Sequence, residues 1–206
     1  QQHTLLNYWW GRKGSLVDVG ACDGLYLSNS RALLEAGWTG LLIEPHPETF
    51  LKLVENSKGL QVETLNCACG DTDGEMEFNV APPALAGLGE ISSLLSLDEL
   101  ERISKAQGGE AARCFALHRE DWTRCVVPVY TLGALWPHKI DLLLVDAEGY
   151  DLHVLKGVDW AVNSPEMVVA EKSVVDVLEL MEYMFSVEYE IHRSGIIDLF
   201  FVKKGG

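Results

Sequence analysis

The chain has 206 residues, of which 48% are hydrophobic and 23% are charged. This composition excludes a disordered tail, a collagen-like fibre and a small disulfide-stapled fold, and the length favours a single domain. Acidic residues number 31 against 16 lysines and arginines, which gives a formal net charge of −15. An acidic surface repels phosphate backbones and anionic lipids, so we expect neither nucleic acid nor a membrane as a partner.

The five cysteines show neither the paired spacing of a disulfide framework nor that of a zinc site. We therefore expect reduced, mostly buried thiols and a cytoplasmic protein. The first residue is Gln1 rather than methionine, which leaves open whether the sequence is part of a longer protein.

Strand-like and helix-like segments alternate through the first third of the chain. The apolar runs end at glycine, proline or acidic residues, and the segments between them have helical spacing. The predicted order is a strand at 16–19, a helix at 25–36, a strand at 40–43, a helix at 47–58, and strands at 60–65 and 76–80.

The middle of the chain interrupts this alternation. Residues 81–89 are rich in proline, glycine and alanine, which predicts a loop, and a helix at 97–106 and a strand at 125–132 follow. We expect one domain over residues 1–206, with a substrate-side insertion at about 81–125.

The alternation then resumes and ends in a hairpin. The predicted elements are a strand at 140–145, a helix at 150–156, a strand at 167–170, a helix at 174–184, and strands at 187–192 and 196–202. The last two strands are joined by Arg193-Ser194-Gly195, which is typical of an antiparallel hairpin. The pattern predicts an α/β fold, with a mostly parallel, doubly wound sheet and one antiparallel strand at its far end.

The first strand ends in the glycine-containing turn Asp18-Val19-Gly20-Ala21-Cys22-Asp23-Gly24. Ligands of doubly wound sheets lie at the carboxyl ends of the strands, and glycine lets the backbone approach a ligand closely. The G-x-G-x-x-G pattern of a pyrophosphate site is absent. An aspartate beside the turn favours a cationic or amine-bearing ligand, although the glycines alternatively serve only to connect the strand to a helix.

Glu44 ends the second strand directly before Pro45. An acidic residue at this point can accept hydrogen bonds from both hydroxyls of a ribose, as in dinucleotide-binding folds. A solvated surface glutamate is the alternative. The acidic turn, a carboxylate for a ribose and the missing phosphate site together indicate S-adenosylmethionine.

Four strings of the sequence, in their order and spacing, resemble the FkbM family of methyltransferases. They are residues 17–21, 43–47, 66–68 and 140–157, and the resemblance runs from about Leu16 to Glu171. It implies a class I methyltransferase fold, which is Rossmann-like, with S-adenosylmethionine as donor and O-methylation of a hydroxyl on a sugar, a polyketide or a similar small molecule. The expected cofactor-binding residues are Asp18, Gly20, Ala21, Asp23, Gly24, Glu44, Pro45, Asn66, Cys67 and Asp146.

Methyl transfer to a hydroxyl requires a group that removes its proton. Asp146, Glu148 and Glu171 follow the later parallel strands and are the candidate catalytic residues. Asp146 and Glu171 are also candidate ligands of a Mg²⁺ ion that would bind the acceptor hydroxyl. Alternatively, Asp146 and Glu148 form the turn before the helix at 150–156 and cap that helix.

Two histidines are alternative bases. His153 is better explained as a packed or surface side chain, whereas His46 serves equally well as a base or as the cap of the helix that begins at Pro47. Three functions stay open: O-methylation of a small molecule, methylation of a protein or an amine nitrogen, and a non-catalytic domain that binds a cofactor or a partner. The sequence predicts no oligomeric state.

Overall fold

The computed structural model describes residues 2–26, 28–82, 92–107, 115–172 and 177–205. The helices are α1 (Gln2–Tyr8), α2 (Arg31–Glu35), α3 (Pro47–Asn56), α4 (Leu97–Gln107), α5 (Leu132–Leu135), α6 (Asp151–Lys156) and α7 (Val177–Ser186). The strands are β1 (Ser15–Val19), β2 (Thr39–Ile43), β3 (Gln61–Leu65), β4 (Ala68–Cys69), β5 (Gly74–Val80), β6 (Thr123–Tyr130), β7 (Leu142–Val145), β8 (Met167–Glu171), β9 (Tyr189–Ser194) and β10 (Asp198–Lys203).

The larger sheet has the strand order β3-β2-β1-β7-β8-β10-β9. The pairs among β3, β2, β1, β7 and β8 are parallel, and β10 is antiparallel to both of its neighbours. The α/β class, the mostly parallel sheet and the terminal hairpin are confirmed. The strand order turns back between β1 and β7, and this is where doubly wound sheets open a crevice for a ligand.

The antiparallel strand lies one place in from the edge of the sheet rather than at its far end. β10 pairs with β8 on one side and with β9 on the other. The reason is burial, because Leu199, Phe200 and Phe201 of β10 are almost inaccessible, whereas most of β9 is exposed. An apolar strand gains most in the interior of the sheet, and a polar strand is better suited to the edge.

Both faces of the larger sheet are covered. Val17 and Val19 of β1 belong to a hydrophobic cluster on one face, and Leu16 belongs to a second cluster on the other. All four residues of β7 are buried, as predicted for a strand covered on both sides. Burial of each such apolar side chain contributes roughly 1.5–3 kcal/mol, so this two-sided core fixes the strand ends that form the site.

A second, smaller sheet has the order β4-β6-β5. β5 pairs antiparallel with β6, from Gly74 opposite Val129 to Val80 opposite Thr123, and β4 pairs parallel with the end of β6. The sequence predicts strands in both places but not their pairing across the intervening residues. Of the expected insertion, residues 83–91 and 108–114 lie outside the described part of the chain, as does most of the loop predicted at 81–89.

The helix predicted at 25–36 begins only at Arg31. The side chain of Asp23 accepts hydrogen bonds from the backbone N–H groups of Leu25 and Tyr26, at 2.8 and 2.7 Å. The Ser28 hydroxyl accepts the N–H of Arg31 at 3.1 Å. These local bonds compete with helical ones and delay the helix.

The helix predicted at 174–184 is described from Val177 onward, and residues 173–176 lie outside the description. Within the described ranges, we find no helix with both the length and the apolar character needed to cross a membrane.

Candidate functional site

A pocket opens at the carboxyl edge of the larger sheet, where β1, β2 and β7 end, and the smaller sheet forms its far wall. The lining residues used below are Asp18, Gly20, Ala21, Cys22, Ile43, Glu44, Pro45, His46, Cys67, Cys69, Phe78, Asp146, Glu148 and Tyr150.

The turn after β1 joins three strand ends. The N–H groups of Gly20 and Ala21 both donate to the carbonyl oxygen of Ile43 at 3.0 Å, and the Asp146 N–H donates to Val19 O at 3.0 Å. Gly20 has a φ of +83°, and a Cβ there would collide with the Asp146 carbonyl oxygen. Glycine is therefore required at this position. Since Ile43 occupies both turn donors, the turn offers neither of them to a phosphate.

Glu44 is buried at the end of β2 and is held through both carboxylate oxygens. Oε2 accepts the N–H of Cys22 at 3.0 Å, and Oε1 accepts the N–H of His46 at 2.8 Å. Each carboxylate oxygen can accept more than one hydrogen bond, so Glu44 keeps capacity for ligand hydroxyls. The surrounding loop is fixed by Asn66, whose amide donates to the carbonyl oxygens of Glu44 and Pro45 at 2.8 and 3.0 Å.

Asp18 is buried beneath the turn and accepts a hydrogen bond from the Ser30 hydroxyl at 2.5 Å. The pKa of Asp18 is raised to about 7, mainly by burial and in smaller part by the charge of Asp146, while the hydrogen bond from the Ser30 hydroxyl acts in the opposite direction. Asp18 is thus close to half-ionised at neutral pH. A carboxylate in the pocket lining can interact favourably with a positively charged ligand.

The end of β7 contributes a second group of carboxylates. Burial, followed by repulsion from Asp198, raises the pKa of Asp146 to about 6. Burial also raises the pKa of Glu148 well above its usual range, with Glu171 and Asp146 adding to the effect. Glu148 has a φ of +50° in a turn that is tied by the Ser93 hydroxyl to the Glu148 carbonyl oxygen at 3.0 Å.

No disulfide joins the described cysteines, which are Cys22, Cys67, Cys69 and Cys125. Burial raises the pKa of Cys67 to about 11 and that of Cys69 well above its usual value. Both thiols therefore stay protonated and behave as small apolar side chains in the pocket wall.

Residues 18–191 match a family model described as the methyltransferase FkbM domain. The chain belongs to the FkbM methyltransferase family. The search of curated proteins gave no match.

Solved structures share the fold of this FkbM domain. The FkbM methyltransferase from Methylobacillus flagellatus KT is 15% identical with a TM-score of 0.57, and the match covers 92% of this chain and 43% of that one. The ribosomal protein L11 methylase from Lactobacillus delbrueckii subsp. bulgaricus is 13% identical with a TM-score of 0.53, and covers 98% and 77% of the two chains. The precorrin-6y C5,15-methyltransferase from Geobacter metallireducens GS-15 is 11% identical with a TM-score of 0.52, and covers 99% and 87%. The fold is that of the class I, Rossmann-like methyltransferases.

The pocket of the FkbM domain fits S-adenosylmethionine, the donor that the family implies. The ligand has a ribose and positive charges but no phosphate, and the pocket offers carboxylates and a turn whose N–H groups are already paired. Seven predicted cofactor-binding residues line the pocket: Asp18, Gly20, Ala21, Glu44, Pro45, Cys67 and Asp146. The other three, Asp23, Gly24 and Asn66, are not among the lining residues, and Asp23 and Asn66 form hydrogen bonds with the backbone of the neighbouring loops.

The predicted catalytic residues fall into two groups. Asp146 and Glu148 line the pocket of the FkbM domain, whereas Glu171 lies outside the lining, and burial together with the charge of Asp146 raises the pKa of Glu171 to about 7. Among the alternative bases, His46 lines the pocket with Nδ1 hydrogen-bonded to the Thr49 hydroxyl at 2.9 Å. His153 is outside the lining, with Nδ1 2.9 Å from an oxygen of Asp71. The catalytic roles themselves stay predictions.

Two acidic residues near the site were missed by the sequence analysis of the FkbM domain. Asp151 is buried in the first turn of α6, and Asp198 is buried opposite Glu171 in the β8–β10 pair. Asp151 stands only two positions after Gly149, so its spacing was an available signal. Asp198 could be found only from the strand pairing. Because β10 runs antiparallel to β8, the first residue of β10 lies beside Glu171, the last residue of β8.

Mg²⁺ receives no support from the geometry. Across the described ranges, no group of three or more His, Cys, Asp and Glu side chains is arranged to hold a metal ion. Among these described side chains, Asp146 and Glu171 are not joined by a third ligand of the kind that the predicted Mg²⁺ site would use.

Proposed function

We propose that this chain transfers a methyl group from S-adenosylmethionine to a hydroxyl of a small-molecule acceptor, such as a sugar or a polyketide. The observation that carries the proposal is Glu44, a buried carboxylate fixed at the pocket edge by two backbone N–H groups. Such a group has little purpose on a bare surface, but it is preorganised to accept hydrogen bonds from a ribose.

The residues around Glu44 would hold the rest of the donor. Ile43, Cys67 and Phe78 offer apolar surface for the base, and Asp18 and Asp146 face the positively charged part. When bound, S-adenosylmethionine supplies a methyl group on a positive sulfonium that departs as a neutral thioether. The enclosing turns exclude water and fix orientation, which supplies much of the rate in a displacement of this kind.

Asp146 is the proposed base for the acceptor hydroxyl. With a pKa of about 6, it is ionised at neutral pH but more basic than an ordinary aspartate. Glu148 has its pKa raised well above the usual range and favours its neutral form, so it donates a hydrogen bond to the acceptor rather than taking its proton.

Isothermal calorimetry with S-adenosylmethionine and S-adenosylhomocysteine tests the donor site. We expect both to bind, and Glu44→Gln to weaken binding by about tenfold or more, because the amide has one acceptor oxygen where the carboxylate has two, and its NH₂ group would face a backbone N–H donor. Glu48→Gln, an exposed change in the first turn of α3, is the matched control and should bind normally. Absence of binding to both ligands would refute the proposal.

A methyltransferase assay with a panel of hydroxyl-bearing acceptors tests the chemistry. The amount of S-adenosylhomocysteine released measures the turnover. We expect Asp146→Asn to abolish turnover while the variant still binds the product. A variant that binds but turns over normally would remove Asp146 from the mechanism. Donor binding without transfer to any hydroxyl, or methyl label recovered on nitrogen, would refute O-methylation.

A further inference from the structure

The pocket has two sides, which lie on either side of β1. Val19 at the end of β1 pairs with Ile43 of β2 and with Val145 of β7, so Glu44 and Asp146 follow at the same level of the sheet. Two strand spacings separate them, which is roughly 10 Å. A ribose on Glu44 therefore leaves the β7 side to the acceptor. We call this the acceptor side, and its lining residues are Ser92, Leu94, Asp146, Ala147, Glu148 and Tyr150.

Leu94 is held at the acceptor side by its neighbour Ser93. The Ser93 hydroxyl donates to the carbonyl oxygen of Glu148 at 3.0 Å. The backbone of Ser93 exchanges two hydrogen bonds with Asn79 of β5, at 2.8 and 3.0 Å. Leu94 is thus fixed between the smaller sheet and the turn after β7, where it lines the pocket with an apolar side chain.

Tyr150 contributes an aromatic ring whose hydroxyl already has a partner. One face of the ring stacks on the His153 imidazole, with centroids 4.4 Å apart and an angle of 16° between the planes. The hydroxyl donates to Met76 Sδ at 3.5 Å, which directs it toward β5 of the smaller sheet. What Tyr150 offers to a ligand in the pocket is therefore its ring.

The apolar side chains of the acceptor side are continuous with the core. Leu94 and Tyr150 belong to one hydrophobic cluster with Cys69 and Phe78, which also line the pocket. A ligand hydroxyl placed against such side chains gives up its hydrogen bonds to water without replacement. Each loss of this kind costs roughly 1–3 kcal/mol.

The polar side chains of the acceptor side suit one hydroxyl rather than many. Asp146 can accept a hydrogen bond, and neutral Glu148 can donate one. The Ser92 hydroxyl accepts the N–H of Ala81 at 3.0 Å. A sugar carries a hydroxyl on nearly every carbon, so several of them would face Leu94 and Tyr150 unpaired. A phenol has one or two hydroxyls on a flat apolar ring and avoids this cost.

The acidity of the acceptor favours the same class of molecule. A phenol has a pKa of about 10, as the tyrosine side chain does. An ordinary alcohol holds its proton about as tightly as water, whose pKa is about 16. A carboxylate base therefore removes the proton of a phenol far more readily than that of an alcohol.

We propose that the acceptor is a phenol, whose ring packs on Leu94 and Tyr150 while its hydroxyl faces Asp146. This inference rests on the proposed methyl transfer and narrows its acceptor. In that transfer the phenol oxygen forms a bond to the methyl carbon, and the bond from this carbon to sulfur breaks with its electron pair left on sulfur. The phenol proton passes to the Asp146 carboxylate.

The test uses the chain saturated with S-adenosylhomocysteine and three neutral probes, which are catechol, cis-1,2-cyclohexanediol and glucose. Catechol and the cyclohexanediol carry the same two hydroxyls and differ in the aromatic ring, whereas glucose has a polar ring. Saturation-transfer NMR or calorimetry should give binding of catechol at least about tenfold tighter than that of glucose. We expect catechol to bind about threefold or more tighter than the cyclohexanediol, because aromatic pairs add to simple burial.

Variants of the two wall residues locate the binding. Leu94→Asn should weaken catechol by about fivefold or more, because it removes apolar contact. Tyr150→Leu should remove the preference for catechol over the cyclohexanediol, and Tyr150→Phe should keep it, because phenylalanine retains the ring. Leu51→Asn, a change on α3 at a side chain that is 70% exposed, is the matched control and should bind all probes normally. Each variant should still bind S-adenosylhomocysteine, which shows that the donor site is intact.

Several results would overturn the phenol acceptor. Glucose that binds as tightly as catechol, or no binding of any probe to the loaded protein, would contradict it. Equal binding of catechol and the cyclohexanediol would show that the wall does not select an aromatic ring. A catechol affinity unchanged in Leu94→Asn would place the ring elsewhere. Normal binding of S-adenosylhomocysteine in these cases would leave the proposed function standing, whereas its absence would refute that function separately.

Discussion

The main chain and the side chain of Asp146 perform separate tasks. Its N–H pairs with Val19 O, and its carbonyl oxygen lies against Gly20, so the backbone joins β7 to the turn after β1. Its carboxylate points into the pocket, where burial and Asp198 raise the pKa to about 6. A change confined to the side chain should therefore alter ligand binding and chemistry while the strand ends stay in place.

The charge of Asp146 should be visible in the choice between the two cofactor forms. S-adenosylmethionine carries a positive sulfonium, and S-adenosylhomocysteine does not. Below pH 6 Asp146 is protonated and cannot attract that charge, and above it the carboxylate can. We expect the ratio of the two affinities to shift toward S-adenosylmethionine by about threefold or more as the pH rises from about 5 to about 7.5.

Asp146→Asn should remove the part of this shift that occurs near pH 6. Asp18 also lines the pocket and has its pKa raised to about 7, so a smaller dependence at the higher pH should persist in the variant. Glu63→Gln, on the exposed edge strand β3, is the control and should follow the wild type. Calorimetric affinities at several pH values check this, and a pH-independent ratio in the wild type would contradict it.

At the scale of elements, the junction between the two sheets depends on one glycine. Gly157 ends α6, and its carbonyl oxygen accepts the N–H of Gly133 at 3.0 Å. A Cβ at Gly157 would collide with the carbonyl oxygen of Gly70, which directly follows β4. The carbonyl of Gly70 belongs to the backbone, so no side-chain movement can relieve such a contact.

We expect Gly157→Ala to lower the free energy of unfolding by about 2 kcal/mol or more. Gly74→Ala is the matched control, because nothing lies within 4 Å of a Cβ built on Gly74 in β5. That change should stay within about 0.5 kcal/mol of the wild type. Urea unfolding of both variants measures the difference. Equal urea midpoints for Gly157→Ala and Gly74→Ala would contradict this prediction. They would show that the two sheets can move apart slightly with little loss of stability.

Local patterns were sufficient to predict most elements. The apolar run of β7, the alternation of glycine-ended strands and helices, and the hairpin turn at 193–195 all follow from short-range chemistry, and so did the strand-end position of Glu44. The late start of α2 was missed because hydrogen bonds from Asp23 and Ser28 compete with the helix, although both residues are visible in the sequence.

The pairings between distant segments could not be predicted from one sequence. The smaller sheet joins β5 to β6 across more than forty residues, and β10 inserts between β8 and β9 because it is the more apolar strand of the hairpin. This insertion is what brings Asp198 to Glu171. The raised pKa values of Asp146 and Glu171 likewise result mainly from burial, which is a property of the folded chain.

For the whole molecule, the buried carboxylates impose a pH dependence on stability. Asp18 and Glu171 have pKa values raised to about 7, and Asp146 to about 6, above the values near 4 of an unfolded chain. Between these limits the folded state binds more protons than the unfolded state. Stability therefore falls as the pH rises through this window. Carboxylates with lowered pKa values, such as Glu166, are ionised in both states above about pH 5 and contribute no slope there.

We expect the melting temperature to fall by at least about 5 °C between about pH 5 and pH 8. Of the range between the unfolded and folded pKa values of Asp18, the part from about pH 5 to about pH 7 lies in this window and corresponds to about 3 kcal/mol, and 1 kcal/mol moves the midpoint of a chain this long by about 2–4 °C. Asp18→Asn should flatten the curve, because the amide oxygen can still accept the Ser30 hydroxyl but carries no charge. Glu35→Gln, an exposed change at the end of α2, should leave the slope unaltered. Scanning calorimetry across the pH series decides the matter, since a melting temperature that rises toward pH 8 would mean that these carboxylates are ionised at no cost in the folded state.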